Sequence, residues 1–272
     1  MSVGFTNLDR VLWPETGFTK GDMIEYYRAV APALLPHLAH RPLTLWRFPE
    51  GVHRPGFWQN ECRGAPEWMQ TAEIRGQRFC VVNELDSLLW IANLGTVELH
   101  PFLFRVDAPE RPTALVLDLD PGKPAGLLDA AEVALRLRET LGVPSFPKTS
   151  GGYGLHVFAP AGDAATFAET KAAARSLAEA RAAEQPGRVI ATARRADRRG
   201  KVLVDWLQND PTRSTVAPYS LRGRPRPTVS TPVTWEEVER AVETRDPELL
   251  TFGPADVLDR LARLGDIHAE TR

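Results

Sequence analysis

The 272-residue sequence predicts an α+β fold, in which helices cover one face of a mainly antiparallel sheet. Three observations lead there. Between 113 and 206 the chain reads strand, helix, strand pair, helix, strand, with β-branched residues concentrated in the strand segments. Glycine and proline fall where those segments end. No dinucleotide-binding fingerprint is present, because SGGYG (150–154) lies inside a predicted hairpin and not between a strand and a helix. A doubly wound parallel sheet is the alternative that this order leaves open.

Taken in order, Thr19 and Asp22 form a capping-box pattern, and Met23, Tyr27, Val30 and Leu34 recur at helical spacing, so a helix starts near 20 and bends at Pro32. A strand follows at 41–48. TALVLDLDPG (113–122) is a strand closed by Pro-Gly, and LLDAAEVALRLRETLG (127–142) is a helix with Gly142 as its C-cap. PKTSGGYGLHVFAP (147–160) reads as strand, glycine turn, strand. An Ala-rich helix runs from Asp163 to Glu184, and KVLVDW (201–206) is the last strand of the set. No repeat, low-complexity tract or Gly/Ser linker interrupts the chain, and its 23 prolines are scattered. A single compact domain over 1–272 is expected.

A chain of this length can bury a core without disulfides, and Cys62 and Cys80, its two cysteines, form no C-x-x-C pair. The N-terminus has no signal-peptide pattern, and apolar runs such as SLLWIANLG (87–95) stop short of the roughly 20 residues a membrane span requires. A soluble protein of the reducing cytoplasm is expected. Net charge is −2, so nucleic-acid binding would have to come from local clusters. One such cluster is Arg188, Arg194, Arg195, Arg198, Arg199 and Lys201, interrupted by a single acid, Asp197, whereas the segment from Trp235 onward is acid-rich.

On a strand, alternate side chains share a face, so Val116, Asp118 and Asp120 project to one side while Leu117 and Leu119 enter the core. Two carboxylates held that close repel each other unless a divalent cation neutralises both. Asp205 lies among Val202, Leu203 and Val204, where a lone carboxylate is costly and calls for a metal or an arginine. Three acids from two strands could hold two metals for an in-line phosphoryl displacement, and oxygen-only ligands suit magnesium or manganese. KTSGGYGLH (148–156) could cradle phosphate through its glycine backbone, Gly151 and Gly152 included, with Lys148, Ser150 and His156 as further donors. A plain tight hairpin explains the glycines equally well. His156 faces away from the side of Leu155 and Val157, the same side as the acids.

LVLDLDPG, KTSGGYGLHVFAP and VDWLQND followed by TVAPYSLRGRP occur in that order, and the set resembles the polymerase domain of bacterial DNA ligase D, within the archaeo-eukaryotic primase superfamily. NLDRVLWPETGFTKGDMIEYY (7–27), RPLTLWRFPEGV (41–52) and GTVELHPF (95–102) extend the likeness over nearly the whole chain. The resemblance implies a primase-polymerase core with an RRM-like sheet, an N-terminal α/β DNA-binding module over about 1–110, a catalytic core over about 111–235 and C-terminal helices over about 235–272. It implies that Asp118, Asp120 and Asp205 are the metal-binding catalytic residues, and that Ser150, His156 and Arg222 contact the incoming triphosphate, with His100 beside the sugar. Arg10 and Lys20 would bind a downstream 5′-phosphate, Phe57 and Trp58 would stack on template bases, and Arg198 and Arg199 belong to a basic loop near the primer end.

The expected activity is extension of a 3′-hydroxyl by ribo- or deoxyribonucleotides across a gap or overhang during non-homologous end joining, with two manganese or magnesium ions. DNA is the expected partner, alongside Ku and a separate ligase, since no K-x-D-G adenylation motif is present, and the location is cytoplasmic and nucleoid-associated. Tyr153, Trp46 and Asn60 stand where lysines are usual in the family, and Gln208 where some members have arginine, which predicts weaker triphosphate or DNA binding. Two rival readings use the same residues: an idle DNA-end-bridging module, and a metal-dependent phosphohydrolase with water as the nucleophile. Three clustered acids argue against the first, and the aromatic pair and 5′-phosphate residues have no work in the second.

Overall fold

The computed structural model describes residues 3–162, 165–192, 194 and 197–271. Arg195 of the basic cluster and Asp163, the expected start of the Ala-rich helix, lie outside them. The chain divides into two compact units, each assembled from separated segments.

The first unit comprises Met1–Pro109, Ser214–Ser230 and Gly253–Asp266. It opens with a hairpin of β1 (Val11–Trp13) and β2 (Phe18–Thr19), which leads into helix α1 (Lys20–Leu38). Thr19 and Asp22 close the expected capping box, and Met23, Tyr27, Val30 and Leu34 are all fully buried. The helix continues past Pro32 and also past Pro36. Next come β3 (Pro42–Arg47), β4 (Phe57–Gln59), β5 (Thr71–Ile74), β6 (Gln77–Val81), helix α2 (Leu85–Asn93) and β7 (Thr96–Pro101). They form an antiparallel sheet in the order β4-β3-β6-β5, with β7 also paired to β3. The apolar run at 87–95 is thus mostly α2, a core helix, and among the described residues no helix is long and apolar enough to cross a membrane.

The cysteines depart from expectation, since Cys62 and Cys80 form a disulfide. The Cys62 amide donates to the Arg78 carbonyl, which lays the loop along β6 and brings the two residues together although no spacing motif announces it.

The second unit comprises Glu110–Arg213, Thr231–Phe252 and Ile267–Arg272. Its elements are β8 (Ala114–Pro121), helix α3 (Leu127–Leu141), β9 (Phe146–Thr149), β10 (Leu155–Pro160), helix α4 (Phe167–Glu184), β11 (Val189–Ile190), β12 (Val202–Asp205) and helix α5 (Trp235–Thr244); helix α6 (Pro254–Leu264), which follows in sequence, belongs to the first unit. The sheet order is β11-β12-β8-β10-β9, antiparallel except for the parallel β11–β12 pair. Leu115, Leu117 and Leu119 of β8, Leu155 and Val157 of β10, and Val202 and Val204 of β12 share a core with Ala130, Ala134 and Leu137 of α3 and Ala174 and Ala178 of α4. Gly142 ends α3 in the left-handed conformation, φ 66°, which favours glycine. The α+β architecture with an antiparallel sheet is therefore present, and the doubly wound alternative is excluded.

Candidate active site

In the second unit, strand alternation and register do the positioning. Leu117 and Leu119 are fully buried, while Asp118 and Asp120 emerge on the opposite face of β8. Asp118 lies directly opposite Asp205 on β12 and directly opposite His156 on β10, and His156 lies opposite Lys148 on β9. Residues paired across strands share a face, so Asp205, Asp118, His156 and Lys148 make one row across four strands. Asn209 anchors the row from below. It is fully buried, donates to the carbonyls of Val116 (2.7 Å) and Trp206 (3.0 Å), and accepts from the Val116 amide (2.8 Å).

Each acid has its own surroundings. Burial pushes the Asp118 carboxyl up, but the charge and hydrogen bond of His156, Lys148 and Gln208 outweigh it and hold Asp118 below the usual carboxylate range. His156 Nε2 is 3.3 Å from Asp118 Oδ1, and Gln208 Nε2 donates to Oδ2 at 3.3 Å. Asp205 is shifted upward, first by burial and then by the charge of Asp118, although its Oδ1 accepts from the Leu207 amide. Asp120, the most exposed of the three, is ion-paired with Arg198.

An all-oxygen set of carboxylates, two of them repelling across adjacent strands, fits a hard divalent cation. Among the described residues no three His, Cys, Asp or Glu groups are gathered into a ready-made cage. Arg198 engages Oδ2 of Asp120, one of the two oxygens of that carboxylate.

The glycine turn differs from a simple open cradle. The amides of Gly152 and Gly154 both donate to Ser150 Oγ at 3.2 Å, so these two N–H groups face inward and fold the turn; the Ser150 hydroxyl keeps its own proton for another acceptor. Gly151 has φ 69°. At Gly154 a Cβ would stand 2.2 Å from the Leu119 carbonyl oxygen, so the turn lies directly on the acid-bearing strand only because that residue lacks a side chain. Lys148 is fully buried, with its ammonium 5.7 Å from the Phe158 ring centroid, and its charge acts on Asp118.

The first unit carries the remaining predicted residues. His100 and Arg222 meet on Glu98, a buried carboxylate on β7 that the sequence reading missed. His100 Nε2 is 2.9 Å and Arg222 Nε 3.3 Å from Glu98 Oε2, and the Gly223 amide donates to Oε1 at 2.9 Å. Burial pushes Glu98 up, yet these partners prevail and its pKa is lowered. A lone acid inside TVELHP was the available signal, by the same reasoning that singled out Asp205. Phe57 and Trp58 on β4 are 46% and 51% exposed, so neither is core. Trp58 stacks on Trp46 at 4.6 Å and meets the His100 ring edge-on at 4.8 Å, and Arg47 lies over Phe57. Arg10 donates to the Pro49 carbonyl and pairs with Glu50 at 2.7 Å. Lys20 is buried, with Nζ 2.6 Å from the Thr6 carbonyl oxygen, and burial, then the Arg10 charge, lowers its pKa. Arg199 lines a cavity of the second unit.

A profile of the LigD primase-polymerase domain matches residues 19–268. The multifunctional non-homologous end joining DNA repair protein LigD of Mycobacterium tuberculosis (strain ATCC 25618 / H37Rv) is 37% identical over 281 residues, covering 97% of this chain and 36% of that protein. The bifunctional non-homologous end joining protein LigD of Bacillus subtilis (strain 168) is 31% identical over 266 residues, covering 96% and 43%. The chain therefore spans well under half the length of these relatives. Among solved structures, the polymerase domain from Mycobacterium tuberculosis ligase D in complex with DNA superposes with a TM-score of 0.89 at 36% identity, covering 98% of this chain and 96% of that one.

Proposed function

The chain belongs to the LigD primase-polymerase domain family, and from that membership we propose that it is a template-directed nucleotidyltransferase that extends a 3′-hydroxyl with nucleotides during the joining of broken DNA ends. The observation that carries this reading is the row of Asp205, Asp118 and His156 across three adjacent strands, with Asp120 on the same face of β8. The reaction forms a bond from the primer 3′-oxygen to the α-phosphorus and breaks the bond to the β-phosphate, releasing pyrophosphate.

Asp118, Asp120 and Asp205 would hold divalent cations, two ions and by preference manganese, which when bound supply charge neutralisation and activation of the attacking oxygen. The chain's own groups then have defined tasks. His156 and Lys148 keep Asp118 ionised and oriented, and Asn209 fixes the strand that bears it. The Ser150 hydroxyl donates to a phosphate oxygen while its Oγ holds the turn closed. Arg222 and His100, oriented by Glu98, contact the nucleotide. Trp58, backed by Trp46, offers a flat exposed face to a template base, with Phe57 beside it. Arg10 and Lys20 meet a 5′-phosphate across the gap, and Arg198 and Arg199 lie toward the primer. The whole chain is the working domain, ribonucleotides and deoxyribonucleotides are both substrates, and Ku, a ligase activity and a nucleoid setting in the cytoplasm complete the pathway.

The test is extension of a labelled primer on a gapped duplex with a downstream 5′-phosphate, manganese and either ribo- or deoxyribonucleotides. Extension by the wild type, its loss in Asp118→Ala/Asp120→Ala and its weakening without the 5′-phosphate are the expected results. Tight DNA binding with no extension by the wild type would replace this reading with an end-bridging role.

A further inference from the structure

Pro218 and Tyr219 are the central residues of a tight turn in the first unit, closed by the Ser220 amide donating to the Ala217 carbonyl at 3.3 Å. Proline suits the first central position. At Tyr219, the second, φ is 66°, as a type II turn demands, and that conformation ordinarily selects glycine. Among the described residues Asn7, His40, Arg75 and Arg245 are the other non-glycine residues with positive φ, and all four are exposed, whereas Tyr219 is 3% exposed. A buried aromatic residue held in this conformation calls for a reason in its side chain.

The reason lies at its hydroxyl. Tyr219 Oη donates to Asp266 Oδ1 at 2.6 Å, and the other carboxylate oxygen is 2.9 Å from His37 Nε2. The side chains of His37 and Asp266 are both buried, so the three groups form a closed polar cluster. The main chain of Tyr219 is fixed as well: its amide donates to the Ser230 carbonyl at 2.7 Å, and its carbonyl accepts from the Tyr26 hydroxyl at 2.8 Å. Beyond the turn the chain runs beside 228–230, with Leu221 bridged to Val229. The Ser230 amide donates to the Ser220 carbonyl and the Arg222 amide to the Thr228 carbonyl, both at 2.9 Å. Arg222 thus stands three residues after Tyr219, with its guanidinium on Glu98. A change of φ at Tyr219 rotates the chain that follows, so the turn sets where Arg222 points.

Glycine would adopt this φ with less strain but would bring no hydroxyl to Asp266. We propose that Tyr219 is a positioning residue for Arg222: anchored on Asp266, it holds the turn in the left-handed conformation that delivers the guanidinium to Glu98. The part that Arg222 plays toward nucleotide rests on the polymerase reading, whereas the anchoring of the turn does not. Tyr219 acts through Arg222 and takes no part in the bond-forming step.

The experiment measures steady-state extension and amide hydrogen exchange for wild type, Tyr219→Phe, Tyr219→Gly, Asp266→Ala and Asp266→Asn, with Tyr219→Phe also placed in an Arg222→Gln background. In Tyr219→Phe and Asp266→Ala the nucleotide KM rises about fivefold or more with kcat nearly unchanged, as loss of uniform binding requires. Tyr219→Gly shows the same rise although it relieves the backbone. Asp266→Asn, whose Oδ1 still accepts the hydroxyl, recovers most of the wild-type KM. Exchange at the Leu221 and Arg222 amides quickens in Tyr219→Phe, and the substitution has no further effect on KM once Arg222 is replaced. Unchanged KM together with unchanged exchange in Tyr219→Phe would overturn the proposal. So would a fall in kcat at constant KM, the mark of a smaller folded fraction, or the same KM rise with and without Arg222. A wild type that extends no primer, while Tyr219→Phe still quickens exchange at Arg222, would keep the anchored turn and remove the polymerase reading.

Discussion

Glu98 shows how one residue's chemistry organises its neighbours. It is buried, and its burial penalty is offset by His100, Arg222 and the Gly223 amide, which together depress its pKa. A carboxyl depressed in the folded state contributes stability that is fully present above its unfolded value and is lost as pH falls through the folded one. Urea denaturation between pH 7 and pH 3 is therefore expected to show stability declining below about pH 4.5, with a shallower decline in Glu98→Gln. Equal slopes for the two proteins would refute the assignment. Glu98→Gln also removes the charge that orients Arg222, so nucleotide affinity falls with it. Asp118 and Asp120 were legible in the sequence because strand alternation sends both to one face of β8, and Asp205 because it is a lone carboxylate among Val202, Leu203 and Val204. Glu98 offered the same signal of a lone acid among apolar neighbours, but nothing on β7 announces the arginine more than a hundred residues later that meets it.

At the scale of elements, the 150–154 turn depends on one missing side chain. A Cβ at Gly154 would press on the Leu119 carbonyl at 2.2 Å, a backbone contact that cannot be relieved by a rotamer change. Gly154→Ala is expected to displace the turn and lower extension at least about tenfold, since sub-ångström misplacement near reacting groups is costly. Gly187→Ala, which meets nothing within 4 Å, is the control and should extend primers like wild type. The long elements α1, β8, α3 and α4 follow from periodicity and caps. Strands β4, β5, β6 and β11 do not, because runs of two to five residues carry too little pattern. Helix α2, nine residues long, was visible only as an apolar run.

At the scale of the molecule, each unit is completed by distant segments. Tyr26 donates to the Tyr219 carbonyl, Tyr27 to that of Val97, and His37 and Tyr219 both meet Asp266, with Tyr219 Oη 2.6 Å from Asp266 Oδ1. A fragment ending at Pro109 loses Tyr219 and Asp266, leaving the buried Tyr26 hydroxyl and His37 without these partners. Expressed alone, residues 1–109 are expected to give an unfolded or aggregated product by circular dichroism and size-exclusion chromatography. A cooperative thermal transition in that fragment would contradict the interdependence of these segments.

By itself the sequence determined the α+β class, the face shared by Asp118 and Asp120, the helix caps and the family, because each rests on spacing within a few residues or on motifs in fixed order. Only the tertiary structure decided that Asp205 and His156 flank Asp118, that Cys62 meets Cys80, that Ser150 Oγ turns two amides inward, and that Tyr219 meets Asp266. Those facts depend on strand register and on contacts between segments far apart in the chain, which local periodicity does not encode.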